Sequence, residues 1–307
     1  MEKVLFLSSP LVERIWGGSY FKDNLHLTDN DSIGEMWSVS SLKEYSSIIL
    51  NGKYKGMTLY DLFNEHKDLF NIKDTQFPIL IKLIATKDDL SVQVHPDDKY
   101  ARLVENKLGK TEGWLILESN ESSIVVGHNA KNKDELVNYI KNNDYEHLLN
   151  RRIVKRGEFY PILPGTIHAI GKNIVLLEVQ QSSDVTYRFY DYNRKDKNGN
   201  TRELHLNKAL DVTNYEEYDN NILNVFESSS NLVWDNEYFN VVYEDINGSY
   251  ILKKESNYLI VTVIEGNIRV NDRTINFGKS FILTSYCNEI EIKGKGKIVI
   301  TKSKWKN

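Results

Sequence analysis

Residues 90–98, L-S-V-Q-V-H-P-D-D, carry the densest group of side chains suited to chemistry. The run reads as a β-strand that ends at a proline. Side chains alternate along a strand, so Ser91, Gln93 and His95 share one face, and Val92 and Val94 share the other. A half-buried strand turns such a polar row to solvent. In a barrel the same row can line a cavity, where three polar groups in register, one an imidazole, can hold a metal or a sugar.

The other histidines narrow the choice. They are His26, His66, His128, His147, His168 and His205, and none lies beyond position 205. A histidine metal site therefore belongs to the first two-thirds of the chain. His168 follows a Pro164-Gly165 break in P-G-T-I-H, a tight turn that fixes the direction of its ring. Glu112 opens an apolar strand just after a helix that the pattern starts at Pro96 and ends at Gly109, and Lys110 shares its strand face. Two imidazoles, a carboxylate and the Gln93 amide oxygen form a mixed N/O donor set, suited to zinc with one position left open. There is no compact H-E-x-x-H or C-x-x-C motif, so these ligands have to converge through the fold.

The elements that must position them can be read from periodicity. Residues 33–40, 77–86, 110–117, 157–163, 174–181 and 185–192 read as strands. Lys82 and Glu178 each interrupt an apolar run, at a sheet edge or facing a polar cavity. Helices are expected over 58–70, with Thr58 as cap, over 96–108, after Asn132 and over 144–150. Gly17-Gly18, Asn247-Gly248 and Glu265-Gly266 are turn signals. From 231 onward short strands follow one another, as in an antiparallel sandwich or barrel. The chain therefore reads as mainly β. Two barrel-like domains are expected, a larger one with inserted helices over 1–220 and a smaller one over 221–307, joined by a polar linker near 215–221.

Bulk properties exclude several classes. The chain has 307 residues, 40% hydrophobic and 27% charged, with a net charge of −4 and no basic block, which speaks against nucleic acid. No apolar run approaches the roughly 20 residues of a membrane span, and no secretory leader is recognisable. Cys287 is the single cysteine, so no internal disulfide can form, and a cytoplasmic home is expected.

Several motifs together resemble a known family. They are E-R-I-W-G-G at 13–18, G-E-M-W-S-V-S at 34–40, S-V-Q-V-H-P-D-D at 91–98, G-K-T-E-G-W at 109–114, P-G-T-I-H-A-I-G at 164–171 and L-L-E-V-Q-Q-S-S-D-V-T-Y-R-F-Y-D-Y at 176–192. In that order they resemble class I mannose-6-phosphate isomerases, most closely the short bacterial form. The last third resembles the family only in its strand-rich texture. The resemblance implies two cupin-like jelly-roll barrels, with the metal site in the first. It implies zinc bound by His95, Glu112 and His168, with Gln93 matching a fourth ligand. It further implies Arg188 as an active-site arginine, Lys110 beside the metal carboxylate and Ser91 near the substrate phosphate. Glu178 and Lys110 are the candidates for moving the proton, Lys110 only if its pKa is depressed. The implied reaction interconverts mannose 6-phosphate and fructose 6-phosphate through a cis-enediol. The implied partner is a small sugar phosphate, in a monomer or homodimer. The rivals are a non-catalytic cupin that binds metal or sugar, and another cupin enzyme acting on a sugar phosphate.

Overall fold

The computed structural model describes residues 2–304 apart from 197, 220 and 221. The expected domain boundary, and the end of the expected linker, fall on residues 220 and 221, outside the described residues.

Strands dominate and form three antiparallel sheets. The first has seven strands in the order Leu223–Asn224, Glu158–Ile162, Glu112–Ser119, Ile174–Gln181, Ile79–Ala85, Ile33–Val39 and Leu11–Gly18. The second has five, in the order Tyr187–Tyr190, Val92–Val94, His168–Ile170, Ser123–His128 and Leu149–Ile153. The third is built from the C-terminal strands, and Val4–Phe6 from the other end of the chain joins it by pairing with Ser280–Leu283. The chain is thus mainly β with few helices, and its sheets have the layered arrangement of jelly rolls.

The central strands read as continuous apolar runs because the seven-stranded sheet is buried on both faces. Along Ile174–Gln181, Ile174 and Leu176 pack toward the five-stranded sheet, in a core with Trp114, Ile116, Ile124 and Ile170. The intervening Val175, Leu177 and Val179 pack on the other side with Ile81, Leu83, Leu115, Ile260 and Val299. Strand alternation then assigns Glu178 and Gln180 to the first face, along with Lys82 and Glu112. A charge there cannot reach bulk water and must be paired.

Three local expectations differ from the structure. The helix after Pro96 is shorter, Asp98–Glu105, because the Asp97 side chain caps it, accepting from the Tyr100 N–H at 2.8 Å. It stops at Asn106, whose φ of 53° is left-handed, before the chain reaches Gly109. Of the apolar positions Tyr100, Leu103, Val104 and Leu108 that are expected to form its buried stripe, Leu108 is buried and Tyr100 packs against the core, but Leu103 is 84% exposed and Val104 is exposed too. The helix expected over 58–70 ends at Glu65, and a separate 3-10 turn covers Lys67–Leu69.

The third difference concerns the C-terminal sheet. Asn247-Gly248 and Glu265-Gly266 do not separate strands, and Gly17-Gly18 ends a strand without a hairpin. Phe239–Lys253, Leu259–Val270 and Glu289–Ser303 each run straight through their glycines. The register shifts between Val263 and Glu265, as at a β-bulge. Gly266 has a φ of 66°, and a Cβ there would lie 2.4 Å from the Lys295 carbonyl. Gly266 therefore lets a long strand pass the bulge in close contact with its neighbour.

Candidate active site

His95 and His168 are aimed by backbone. In P-G-T-I-H, Gly165 takes a φ of 85° and its N–H donates to the His95 carbonyl at 2.9 Å, tying the two ligand segments together. His168 Nδ1 lies 2.8 Å from the Thr166 carbonyl, and His95 Nδ1 lies 2.8 Å from the Val185 carbonyl. A carbonyl can only accept, so both rings carry their proton on Nδ1. Each Nε2 therefore carries a lone pair and no proton, the tautomer a metal-binding imidazole needs.

Both lone pairs face Glu112. His95 Nε2 is 3.6 Å from Glu112 Oε2, and His168 Nε2 is 3.4 Å from Oε1. Donors sharing a tetrahedral ion at about 2.0–2.1 Å are separated by roughly 3.3 Å, so the spacing suits such an ion. All three residues are buried, and their ligand atoms lie within 4.8 Å of one another. Lys110 Nζ is ion-paired with Oε2 at 2.6 Å and also lies 3.1 Å from His95 Nε2, which leaves Oε1 without a partner. A buried carboxylate with an unpartnered oxygen between two neutral imidazoles fits a divalent cation.

The electrostatics agree. Burial lowers the His95 pKa well below its ordinary value and takes His168 down to about 3, so both rings stay neutral. Burial and the nearby Glu178 raise Glu112. Burial alone would lower Lys110, but Glu112 and Glu178 outweigh it, and its pKa ends above the ordinary value. Burial would raise Glu178, yet Lys110 and Lys82 hold it low, and it is ionised.

Register explains the remaining contacts. Glu178 faces Lys82 on the next strand, and Lys82 donates to Glu178 Oε1 at 2.8 Å. Lys82 therefore points into the polar cavity. Across the cleft, Arg188 pairs in register with Gln93, and Gln93 with His168. The Gln93 amide nitrogen lies 3.3 Å from His168 Nε2, so its oxygen reaches that place only if the amide turns over. Arg188 is half-buried, and its Nη1 donates to the Glu203 carbonyl at 2.8 Å. Burial and the neighbouring Arg202 lower its pKa from a very high starting value.

A cleft of about 630 Å³ gathers most of the residues expected at the site: Ser91, Gln93, Lys110, Glu178 and Arg188 all line it. His95, Glu112 and His168 do not line it but contact Lys110 and Gln93, which do. A larger hollow of about 970 Å³ lies next to it and contains none of these residues. Chemistry decides between the two, and the smaller cleft is the site. Arg14, Glu35, Trp37 and Arg202 also line it, and sequence reasoning missed them as site residues. The available signal was Glu35, a charge in a strand, Ile33–Val39, whose every residue is buried.

With this geometry in view, similarity to known proteins becomes informative. Residues 4–112 match the model of the phosphomannose isomerase type I catalytic domain, and residues 229–303 match the mannose-6-phosphate isomerase cupin domain. The chain is 40% identical to mannose-6-phosphate isomerase ManA of Bacillus subtilis, over 87% of each chain. It belongs to the type I mannose-6-phosphate isomerase family. The family likeness continues in a mannose-6-phosphate isomerase of Streptococcus mutans, 40% identical over 88% of this chain and 87% of that one. The crystal structure of a mannose 6-phosphate isomerase from Bacillus subtilis superposes with a TM-score of 0.91 at 39% identity, covering 98% of this chain and 99% of that one. Family membership thus extends through the C-terminal third, where sequence motifs alone had shown only strand texture. No described helix is long and apolar enough to cross a membrane.

Proposed function

We propose that this chain interconverts mannose 6-phosphate and fructose 6-phosphate in a cytoplasmic metabolic role. His95, Glu112 and His168 would hold a zinc ion, with Gln93 as a fourth donor when its amide turns over. The observation that carries the reading is the pair of Nδ1-anchored imidazoles facing a buried carboxylate with one unpartnered oxygen, beside a cationic cleft. When bound, the metal supplies Lewis-acid stabilisation of negative charge on the substrate oxygens.

The chain's own residues supply the rest. Arg14, Lys82, Lys110 and Arg202 already face carboxylates, whereas the Arg188 guanidinium donates to a backbone carbonyl. Arg188 therefore holds the charge best placed for phosphate or for the enediolate, with Ser91 beside it in the cleft wall. Isomerisation removes a proton from C2, forms a cis-enediol and returns a proton at C1. Glu178 lines the cleft and carries no proton, the state from which an acceptor must start, while Lys82 and Lys110 keep it a weaker base than a free carboxylate. Lys110, kept protonated, contributes fixed positive charge to the developing oxyanion.

The test is a coupled assay with mannose 6-phosphate before and after chelation. Turnover that disappears with the chelator and returns with zinc is the expected result. Turnover that persists in metal-free protein would refute the metal-dependent reading. Absence of turnover in zinc-loaded protein would refute the isomerase reading.

A further inference from the structure

One buried carboxylate stands apart from the groups assigned above. Glu35 lies in the strand Ile33–Val39 with its side chain only 8% exposed. A single oxygen, Oε2, accepts from both Arg14 Nη2 at 2.8 Å and Trp37 Nε1 at 2.7 Å. Arg14 comes from the edge strand Leu11–Gly18, so Glu35 fixes a side chain on its neighbour and the indole two residues along its own strand. All three side chains line the substrate cleft.

The Trp37 ring carries the effect inward. One side packs on Tyr45, with ring centroids 5.0 Å apart. Lys82 Nζ lies 5.4 Å from its centroid, within cation–π range. Lys82 is the partner of Glu178. Charges of alternating sign therefore run strand by strand across the sheet, from Arg14 through Glu35, Lys82 and Glu178 to Lys110 and Glu112. Removing the charge of Glu35 loosens the indole and the guanidinium together, and leaves Lys82 less well compensated.

We propose that Glu35 is a positioning residue for the isomerisation: it fixes Arg14 and Trp37 as one cleft wall and, through the indole, sets Lys82 and Glu178 for proton transfer. The inference rests on the isomerase reading above. Its test is steady-state kinetics of the zinc-loaded Glu35→Gln variant, with bound metal and thermal midpoint measured alongside. Gln keeps the shape and one acceptor oxygen. Misplacing reacting groups by about 1 Å is worth up to roughly 100-fold, so kcat is expected to fall about tenfold or more. KM should stay within about threefold and metal content should be unchanged.

An unchanged kcat overturns the proposal. So does a fall in kcat that only tracks lost metal or a midpoint lowered to the assay temperature, since a merely structural carboxylate would behave that way. If Glu35→Gln does not fold, Trp37→Phe takes its place: it keeps Glu35 and an aromatic face but removes one donor. A reduced kcat at normal metal content supports the proposal, and wild-type kcat overturns it. An inactive wild type would reject the isomerase reading, whereas an active wild type matched by Glu35→Gln would reject this inference alone.

Discussion

The Lys82–Glu178 pair offers a sharp physical test. Its atoms are 2.8 Å apart on adjacent central strands, with side chains 10% and 4% exposed. At an effective dielectric of 20 their attraction is about 6 kcal/mol, of which desolvation consumes a large part. Breaking such a pair from one side costs about 3–5 kcal/mol, because the remaining charge is stranded. Each surviving charge keeps others nearby: Lys82→Met leaves Glu178 with Lys110, and Glu178→Gln leaves Lys82 with Glu35 and Glu112. Either single variant should therefore cost toward the lower end of that range, about 3 kcal/mol. The double variant should lie within about 1–2 kcal/mol of wild type, since a neutral pair strands no charge. Urea unfolding of chelator-treated protein measures all four corners of the cycle. Single costs that simply add in the double variant would show that neither residue depends on the other, and the argument from burial and register would be wrong.

Two further outcomes follow from the same geometry. Arg188→Ala should lower kcat/KM for mannose 6-phosphate by about 10- to 100-fold, the worth of one charge-assisted contact, while bound metal, measured by metal analysis, stays at the wild-type level; equal losses of both would mean that Arg188 supports the structure. Metal-free protein should lose stability as pH falls: His95 and His168 are depressed in the folded state, so their contribution is complete above about 6.5 and is lost progressively toward about 3, the folded value of His168. Glu112, pushed up to about 7, works in the opposite sense, with its contribution present below about 4.5 and lost by about 7. Thermal midpoints across pH 4–8 read the balance, and two histidines against one carboxylate predict a net fall toward acid.

The His95, Glu112 and His168 group was legible in the sequence because each member bears a local signature of direction: a strand ending at Pro96, the Pro164-Gly165 turn, the opening of the strand at Glu112. The long C-terminal strands were not, because Asn247-Gly248 and Glu265-Gly266 have the composition of hairpin turns, and only pairing with the glycine-rich stretch around Gly294 and Gly296 shows that they lie within a continuous strand. The exposed Leu103 shows the same limit from the other side, since apolar spacing on a helix does not say whether a neighbour covers it.

The charges of the site fall between these cases. Lys82, Glu178 and Glu35 each stand out as an ion in an apolar strand, and that much is visible without coordinates. Their partners are not, because they lie 96 residues away for Lys82 and 21 for Glu35, and only register brings them together. The seven-stranded sheet makes this register consequential. With both faces buried, slipping one strand by a single residue would turn Glu178 or Lys82 into the apolar core on the far side and leave its partner unpaired. The paired charges that line the cleft therefore also fix the alignment of the strands that carry the metal donors. In this protein the machinery of the site and the specificity of the fold rest on the same few side chains.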